Sequence, residues 1–189
     1  MANYSPASGT WHPVPGTALL SYFYMSVIDD VLSANFRTAL SYEPNRVSPR
    51  PSKHLAILTC MDTRISLSAM GLVPQDAHMI RNAGGIVTDD ALRSLLVSHY
   101  MLGTNEVMVI NHTDCGMMKA SEEEMHAQIE REAGLPPSSP VRFYAFQDVE
   151  ANVREQLKKL ESHSWVRQAL TIRGFVFDVA TGKLREVHR

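Results

Sequence analysis

One apolar stretch, His54 to Met61, constrains the fold of this chain more than any other segment. Its nearly continuous run of apolar residues is typical of a strand that is buried on both faces, as in a parallel sheet. Further strands are predicted from Ala77 to a glycine turn, from Glu106 to Asn111 and from Thr171 to Val179. Because helical patterns separate these strands, the sequence indicates an α/β fold with a mainly parallel central sheet flanked by helices.

Several helices have recognisable starts. Thr88 is expected to cap one helix, and Ser121-x-x-Glu124 is a capping box that opens another helix running to Gly134. The other predicted elements are a short helix from Leu67 to Leu72, an amphipathic helix through Phe146 to Leu160, and an antiparallel return strand from Leu184 to Val187.

The chain has 189 residues, enough for one domain with a full core. We expect a single α/β domain made of an irregular arm over residues 1–16, an N-terminal helix over 17–42 and a catalytic core over 54–189. Apolar residues recur at helical spacing from Leu20 to Val31, and they give the N-terminal helix a wide apolar face. This face is expected to pack on the chain's own sheet or on another subunit.

Composition limits the partners and the compartment. The net charge of −2 gives no basic excess for binding nucleic acid or an anionic membrane. The N-terminus has no signal or transit pattern, and the most apolar early stretch, Ala18 to Ile28, is too short and polar to span a bilayer. We therefore expect a cytoplasmic protein. In a reducing compartment, free thiols or metal ligands are favoured over a disulfide between the two cysteines.

Both cysteines of the chain come at predicted strand ends. Cys60 ends the first apolar strand, and Cys115 follows the third strand in the pattern His112-x-x-Cys115. The carboxyl ends of parallel strands meet at one edge of a sheet, so these three side chains are expected to converge. Zinc prefers nitrogen and sulfur ligands, and catalytic zinc sites usually use three of them. The sequence thus predicts a catalytic zinc site, with a single disulfide or a redox dithiol as less favoured alternatives.

An acidic and a basic residue follow the first cysteine. If the strand continues, Asp62 and Arg64 point to the same side as Cys60. The guanidinium is expected to keep the carboxylate ionised and oriented through a bidentate pair. An ionised carboxylate beside a metal can accept a hydrogen bond from metal-bound water. The alternative is an ion pair with a structural role only.

Three motifs together resemble those of the β-class carbonic anhydrases, and most closely the short branch typified by archaeal enzymes. They are Cys-Met-Asp-Thr-Arg at 60–64, Arg-Asn-Ala-Gly-Gly at 81–85 and His-Thr-Asp-Cys-Gly-Met at 112–117. The resemblance is close over about residues 54–120. The plant-type branch of this family carries a glutamine and a phenylalanine in its pocket. The matching positions here are Pro51 and His78, so a plant-type pocket is not expected.

The resemblance implies one Zn²⁺ per subunit, held by Cys60, His112 and Cys115. It implies that Asp62 either hydrogen-bonds zinc-bound water or, in a closed resting form, ligates zinc, and that Arg64 holds Asp62 in the open arrangement. Family members are dimers or assemblies of dimers whose N-terminal helices embrace the partner. We therefore expect a homodimer or a dimer of dimers.

The implied activity is that of a carbonate dehydratase, a lyase in which zinc-bound hydroxide attacks CO₂ to give bicarbonate. The alternative is a carbonyl sulfide hydrolase or a related C=S hydrolase on the same zinc site, because those substrates are also linear and are attacked at the same carbon. A catalytically silent zinc-binding relative is less favoured because Asp62 and Arg64 are both present. His78, His99 and His126 are candidate proton carriers by residue type alone.

Overall fold

The computed structural model describes residues 3–4, 11–12, 26–44, 47–138, 140–166 and 170–188. By internal packing the chain divides into two compact units, Met1–Pro44 and Asn45–Arg189. That the two units form one domain stays a prediction.

The first unit contains a pair of very short strands and a helix. Strand β1 (Asn3–Tyr4) pairs antiparallel with β2 (Trp11–His12), so the expectation of an entirely irregular arm over residues 1–16 is wrong. Two-residue strands leave no periodic pattern in a sequence. Helix α1 covers Val27–Ala39, and the side chain of Ser26 forms a capping box with Asp29. The predicted stretch 17–25 lies outside the described residues.

The second unit is organised around a five-stranded sheet. Four of its strands are parallel, and the last one is antiparallel to its neighbour. The strands are β3 (Leu55–Cys60), β4 (Ala77–Asn82), β5 (Glu106–His112), β6 (Thr171–Phe177) and β7 (Leu184–Val187), in the spatial order β4-β3-β5-β6-β7. The predicted α/β fold with a mainly parallel sheet is confirmed.

Three helices of the second unit begin at side-chain caps. They are α2 (Asp89–Tyr100), α3 (Glu122–Ala133) and α4 (Val149–Ser162). Thr88 caps α2, and Ser121 forms the predicted capping box with Glu124 at α3. Asp148 caps α4, so Phe146 precedes the helix instead of lying within it. No helix among the described residues is both long enough and apolar enough to cross a bilayer.

The segment after β3 differs from its prediction. In place of a helix from Leu67 to Leu72, a single 3₁₀ turn covers Ser68–Met70. Gly71, with a left-handed φ of 72°, ends the turn. The stretch is too short to repay the unfavourable nucleation of an α-helix.

The two faces of the sheet are covered differently. Helices α2 and α4 supply Leu95, Val153, Leu157 and Leu160 to the core on one face. Gly174 of β6 permits this packing, because an added Cβ would clash with Cγ1 of Val153. The other face is covered by the segments that follow the strands, and its core contains both cysteines. The carboxyl ends of β3 and β5 are therefore shielded by the loops that carry the candidate functional residues.

Candidate metal centre

Two neighbouring parallel strands bring the predicted ligands together. Cys60 is the last residue of β3 and His112 the last residue of β5, while Cys115 precedes a 3₁₀ turn at Gly116–Met118. All three side chains are buried. Their ligand atoms lie within 4.8 Å of one another, and the two Sγ atoms are 4.0 Å apart.

The geometry of these residues fits zinc. Two sulfurs bound at about 2.3 Å to a tetrahedral zinc ion are about 3.8 Å apart, close to the spacing found here. Both cysteines are free thiols. Their separation of 4.0 Å is about twice the length of a disulfide bond, so the two sulfurs are not bridged.

His112 provides a separate indication of a metal. Its Nδ1 lies 2.9 Å from the carbonyl oxygen of Thr113, whereas its buried Nε2 has no hydrogen-bond partner. In the described part of the chain, this Nε2 is the only buried side-chain nitrogen or oxygen without one. Metal-binding histidines typically donate their second ring N–H to a carbonyl or carboxylate, and this arrangement leaves Nε2 directed at the metal.

The two buried thiols differ in how readily they ionise. The hydrogen bond from Cys115 is the largest influence that lowers the pKa of Cys60, and the backbone N–H of Gly84 also donates to its Sγ at 3.4 Å. The same contact and, after it, burial raise the pKa of Cys115. Cys60 and Cys115 would both hold a metal as thiolates, since a coordinating thiol is deprotonated outright.

Asp62 and Arg64 pair as predicted, although the backbone that carries them has a different conformation from the one expected. β3 ends at Cys60, so Asp62 and Arg64 lie in a turn and not in a strand. Oδ1 of Asp62 accepts from the Arg64 backbone N–H at 2.9 Å and from Nε at 3.0 Å, and Oδ2 accepts from Nη2 at 2.7 Å. Arg64 holds the pKa of the Asp62 carboxyl well below its usual range. Oδ2 also lies 3.9 Å from Nε2 of His112, so the carboxylate faces the ligand group.

A second aspartate completes the surroundings of Arg64. Asp114 accepts from Nη1 of Arg64 at 3.0 Å through its carboxylate and from Nη2 at 3.2 Å through its carbonyl oxygen. Nζ of Lys119 lies 2.8 Å from its other carboxylate oxygen. Asp114 has a left-handed φ of 55°, a conformation that aspartate tolerates better than most residues. Its position between two predicted ligands was the available signal, and the sequence interpretation missed it.

Arg81, the first residue of the Arg-Asn-Ala-Gly-Gly motif at 81–85, has a structural role. From β4 its Nε donates to the Cys60 carbonyl at 3.0 Å and its Nη2 donates to the Asp62 carbonyl at 2.6 Å. One guanidinium therefore fixes the backbone on both sides of Met61, which joins the candidate ligand to the candidate catalytic carboxylate.

The three histidines considered as proton carriers are engaged elsewhere. Nδ1 of His78 bonds to Oγ of Ser98 at 2.7 Å, and its Nε2 bonds to the Pro49 carbonyl at 2.8 Å. His99 bonds through Nδ1 to the Thr104 carbonyl at 2.5 Å, and the His126 ring packs edge-on against Phe143. His78, with both ring nitrogens occupied, is a packed structural residue.

The mainly parallel sheet carries a buried Cys-His-Cys group beside the carboxyl ends of β3 and β5. This arrangement is typical of an α/β protein that binds a metal ion through cysteine and histidine. The family described as "Carbonic anhydrase" matches residues 55–184. The chain belongs to the β-carbonic anhydrase family, whose members are zinc enzymes, and the resemblance predicted from its motifs is confirmed.

Relatives and solved structures agree with this assignment. Beta-carbonic anhydrase 1 of Mycobacterium tuberculosis is 43% identical over 164 residues, which cover 86% of this chain and 99% of the relative. A carbon disulfide hydrolase of Saccharolobus solfataricus is 34% identical and covers 86% of this chain and 92% of its own. The crystal structure of a carbonic anhydrase from Streptococcus mutans has a TM-score of 0.79 at 38% identity and covers 87% of this chain and 99% of its own.

Proposed function

We propose that this protein is a zinc-dependent carbonate dehydratase that interconverts CO₂ and bicarbonate. The observation that carries the proposal is the buried Cys60, His112 and Cys115 group, with an unpartnered Nε2 that faces the Asp62 carboxylate. Zinc, when bound by these three residues, supplies a Lewis acid that makes water a nucleophile at neutral pH.

Asp62 is the residue that orients the nucleophile. Its Oδ1 is occupied by the backbone N–H and Nε of Arg64, whereas Oδ2 also faces the ligand group. Because its low pKa keeps the carboxylate ionised, Oδ2 accepts a hydrogen bond from the attacking water and turns the oxygen lone pair toward the carbon of CO₂. The same carboxylate disfavours anions that carry no proton to donate.

Arg64 is the residue that holds Asp62 in this arrangement. The guanidinium is fixed between two carboxylates, and Lys119 holds the second of these in turn. Asp62 is therefore directed toward Arg64, which is the open arrangement that the family resemblance implies. We propose that this is the active form of the site.

A second candidate function is hydrolysis of a C=S substrate such as carbonyl sulfide or carbon disulfide. The observation in its favour is the 34% identity to a carbon disulfide hydrolase over 86% of this chain. All these substrates are small linear molecules that are attacked at a central carbon, so the ligands and Asp62 suit each of them equally. The higher identity to a β-carbonic anhydrase, 43%, favours CO₂.

A paired assay separates the two functions. On zinc-loaded protein we expect fast CO₂ hydration by stopped flow and negligible sulfide release from carbonyl sulfide or carbon disulfide. Metal-free protein prepared with a chelator is the control, because its rate gives the uncatalysed background. Rapid sulfide release with slow CO₂ hydration would instead assign the chain to the C=S hydrolases.

We also propose a cytoplasmic homodimer, or a dimer of such dimers, in which α1 packs on a second copy of the chain. Helix α1 buries none of its residues. Its apolar side chains remain largely exposed, with 76% of Val27, 61% of Val31 and 70% of Phe36 accessible to solvent. A monomeric soluble protein rarely keeps such a continuous apolar stripe exposed.

A charge placed on this stripe tests the dimer. We expect Val31→Asp to raise the dimer dissociation constant at least about 100-fold, because an unpaired buried carboxylate costs several kcal/mol and each 1.4 kcal/mol is a factor of ten. Sedimentation velocity over a range of concentrations measures the change. Ser33→Asp adds the same charge to the polar side of the same helix and should leave the dimer intact. Equal dissociation by both variants would argue against α1 as the interface.

A further inference from the structure

Three buried carboxamides connect α4 to the glycine turn that follows β4. Nε2 of Gln156 donates to Oδ1 of Asn152 at 2.8 Å, and Nδ2 of Asn152 donates to Oδ1 of Asn111 at 2.9 Å. Nδ2 of Asn111 then donates to the carbonyl oxygen of Gly84 at 2.7 Å. The exposed fractions of Gln156, Asn152 and Asn111 are 1%, 5% and 1% respectively.

The three hydrogen-bonded amides bind both ends of the turn, at Gly84 and at Val87. The Gln156 side chain accepts from the backbone N–H of Val87 at 2.9 Å, while Asn111 binds the turn at Gly84. Each amide donates to the next one in the same direction, so the hydrogen bonds polarise one another. A buried polar chain of this kind is costly unless it is fully satisfied, and every link in it is made.

The row of hydrogen-bonded amides ends at Gly84, which contacts the metal centre. Gly84, whose carbonyl Asn111 binds, donates its own N–H to Sγ of Cys60 at 3.4 Å. The next residue, Gly85, lies so close that an added Cβ would be 3.0 Å from the backbone nitrogen of Cys60 and 2.8 Å from Nδ2 of Asn111. The turn therefore lies directly against the first candidate ligand.

We propose that Asn111, Asn152 and Gln156 form an amide relay of positioning residues. The relay holds the Gly84 N–H against the Cys60 thiolate and so sets the affinity and electronic character of the metal centre from α4. It rests on the proposed function, in which Cys60 is a zinc ligand. The N–H stabilises negative charge on this sulfur and so favours the deprotonated thiolate that a metal binds, an outer-shell effect of the kind that tunes metal sites.

Asn152→Leu tests the relay, because leucine of similar volume removes both hydrogen bonds of the central amide. We expect zinc affinity, measured by chelator competition, to fall about 10- to 100-fold, as is typical when such a partner is lost. In the Co²⁺-substituted protein, the thiolate-to-cobalt charge-transfer band should shift. In the metal-free protein, hydrogen exchange at the Gly84 amide should become faster.

Val153→Ala is the matched control. It removes buried volume from the adjacent residue of α4, and its side chain has no part in the relay. This variant should lower the stability to urea without moving the cobalt band, zinc affinity or Gly84 exchange. Gln156→Met, one link further from Gly84, provides the same test if Asn152→Leu does not fold, with a smaller effect expected.

The outcomes distinguish the relay from the proposed function. If the wild-type protein binds zinc and the relay variants match Val153→Ala in all three readouts, the relay is overturned. If the wild-type protein binds no zinc while Gly84 exchange still rises only in the relay variants, the zinc function fails and the relay's hold on the turn stands.

Discussion

Cys60→Ser, His112→Ala and Cys115→Ser are each expected to lose bound zinc and all measurable CO₂ hydration. The zinc content of the wild-type protein should be about one ion per chain, because the three residues complete a catalytic ligand set. Without the metal, the pKa of water returns from about 7 to its much higher value in bulk water, and almost no nucleophile remains at neutral pH. Elemental analysis gives the zinc content, and stopped flow gives the rate.

His163→Ala is a suitable control for these variants. His163 lies at the C-terminal end of α4, where its ring packs against Trp165, and the residue has no place in the ligand group. Its replacement should leave zinc content and turnover unchanged. Full zinc content in any of the three ligand variants would contradict the assignment of that residue.

The ligand group was predictable because two local patterns determine it. The buried runs that end at Cys60 and at His112 predict parallel strands, and parallel strands that share a sheet place their carboxyl ends side by side. No knowledge of long-range contacts was needed beyond the fold class. The role of each residue stays a prediction until the variants are measured.

The residues that hydrogen-bond to the segments around the ligands were not predictable in the same way. Asn152 contacts Asn111 across 41 positions of sequence, and nothing in the amphipathic pattern of α4 marks one of its residues as a partner for β5. Arg81 was noted only as part of a motif, because its two carbonyl acceptors depend on where β3 ends. Such contacts depend on the final packing of strands and turns and not on any local propensity.

The orientation of Asp62 illustrates the same limit. The alternation rule gave the correct neighbour, Arg64, for a reason that does not apply, because the strand ends at Cys60. The pair forms instead because a carboxylate readily accepts from the backbone N–H two residues later. The turn also brings Arg64 within reach of Asp114, an acceptor that strand geometry does not imply.

Asp62→Ala is expected to retain zinc and to lose about 10- to 100-fold or more in CO₂ hydration, the range typical of removing a group that orients a metal-site reactant. The three ligand atoms do not depend on the carboxylate, whereas the orientation of the attacking water does. Zinc content and kcat measured on the same sample separate the two effects. Loss of zinc in this variant would show that Asp62 is itself a ligand, as in the closed arrangement.

Variants of Arg64 provide a second test of the role of Asp62, and another aspartate–arginine pair provides a control. Arg64→Ala should lose activity much as Asp62→Ala does, and Arg64→Lys should recover little of it, because lysine cannot reproduce the forked donation to Asp62 and Asp114. The exposed pair of Asp90 and Arg93 on α2 has the same chemistry and no ligand beside it. Asp90→Ala should therefore leave turnover unchanged, and full activity in Arg64→Ala would limit the inner pair to a structural role.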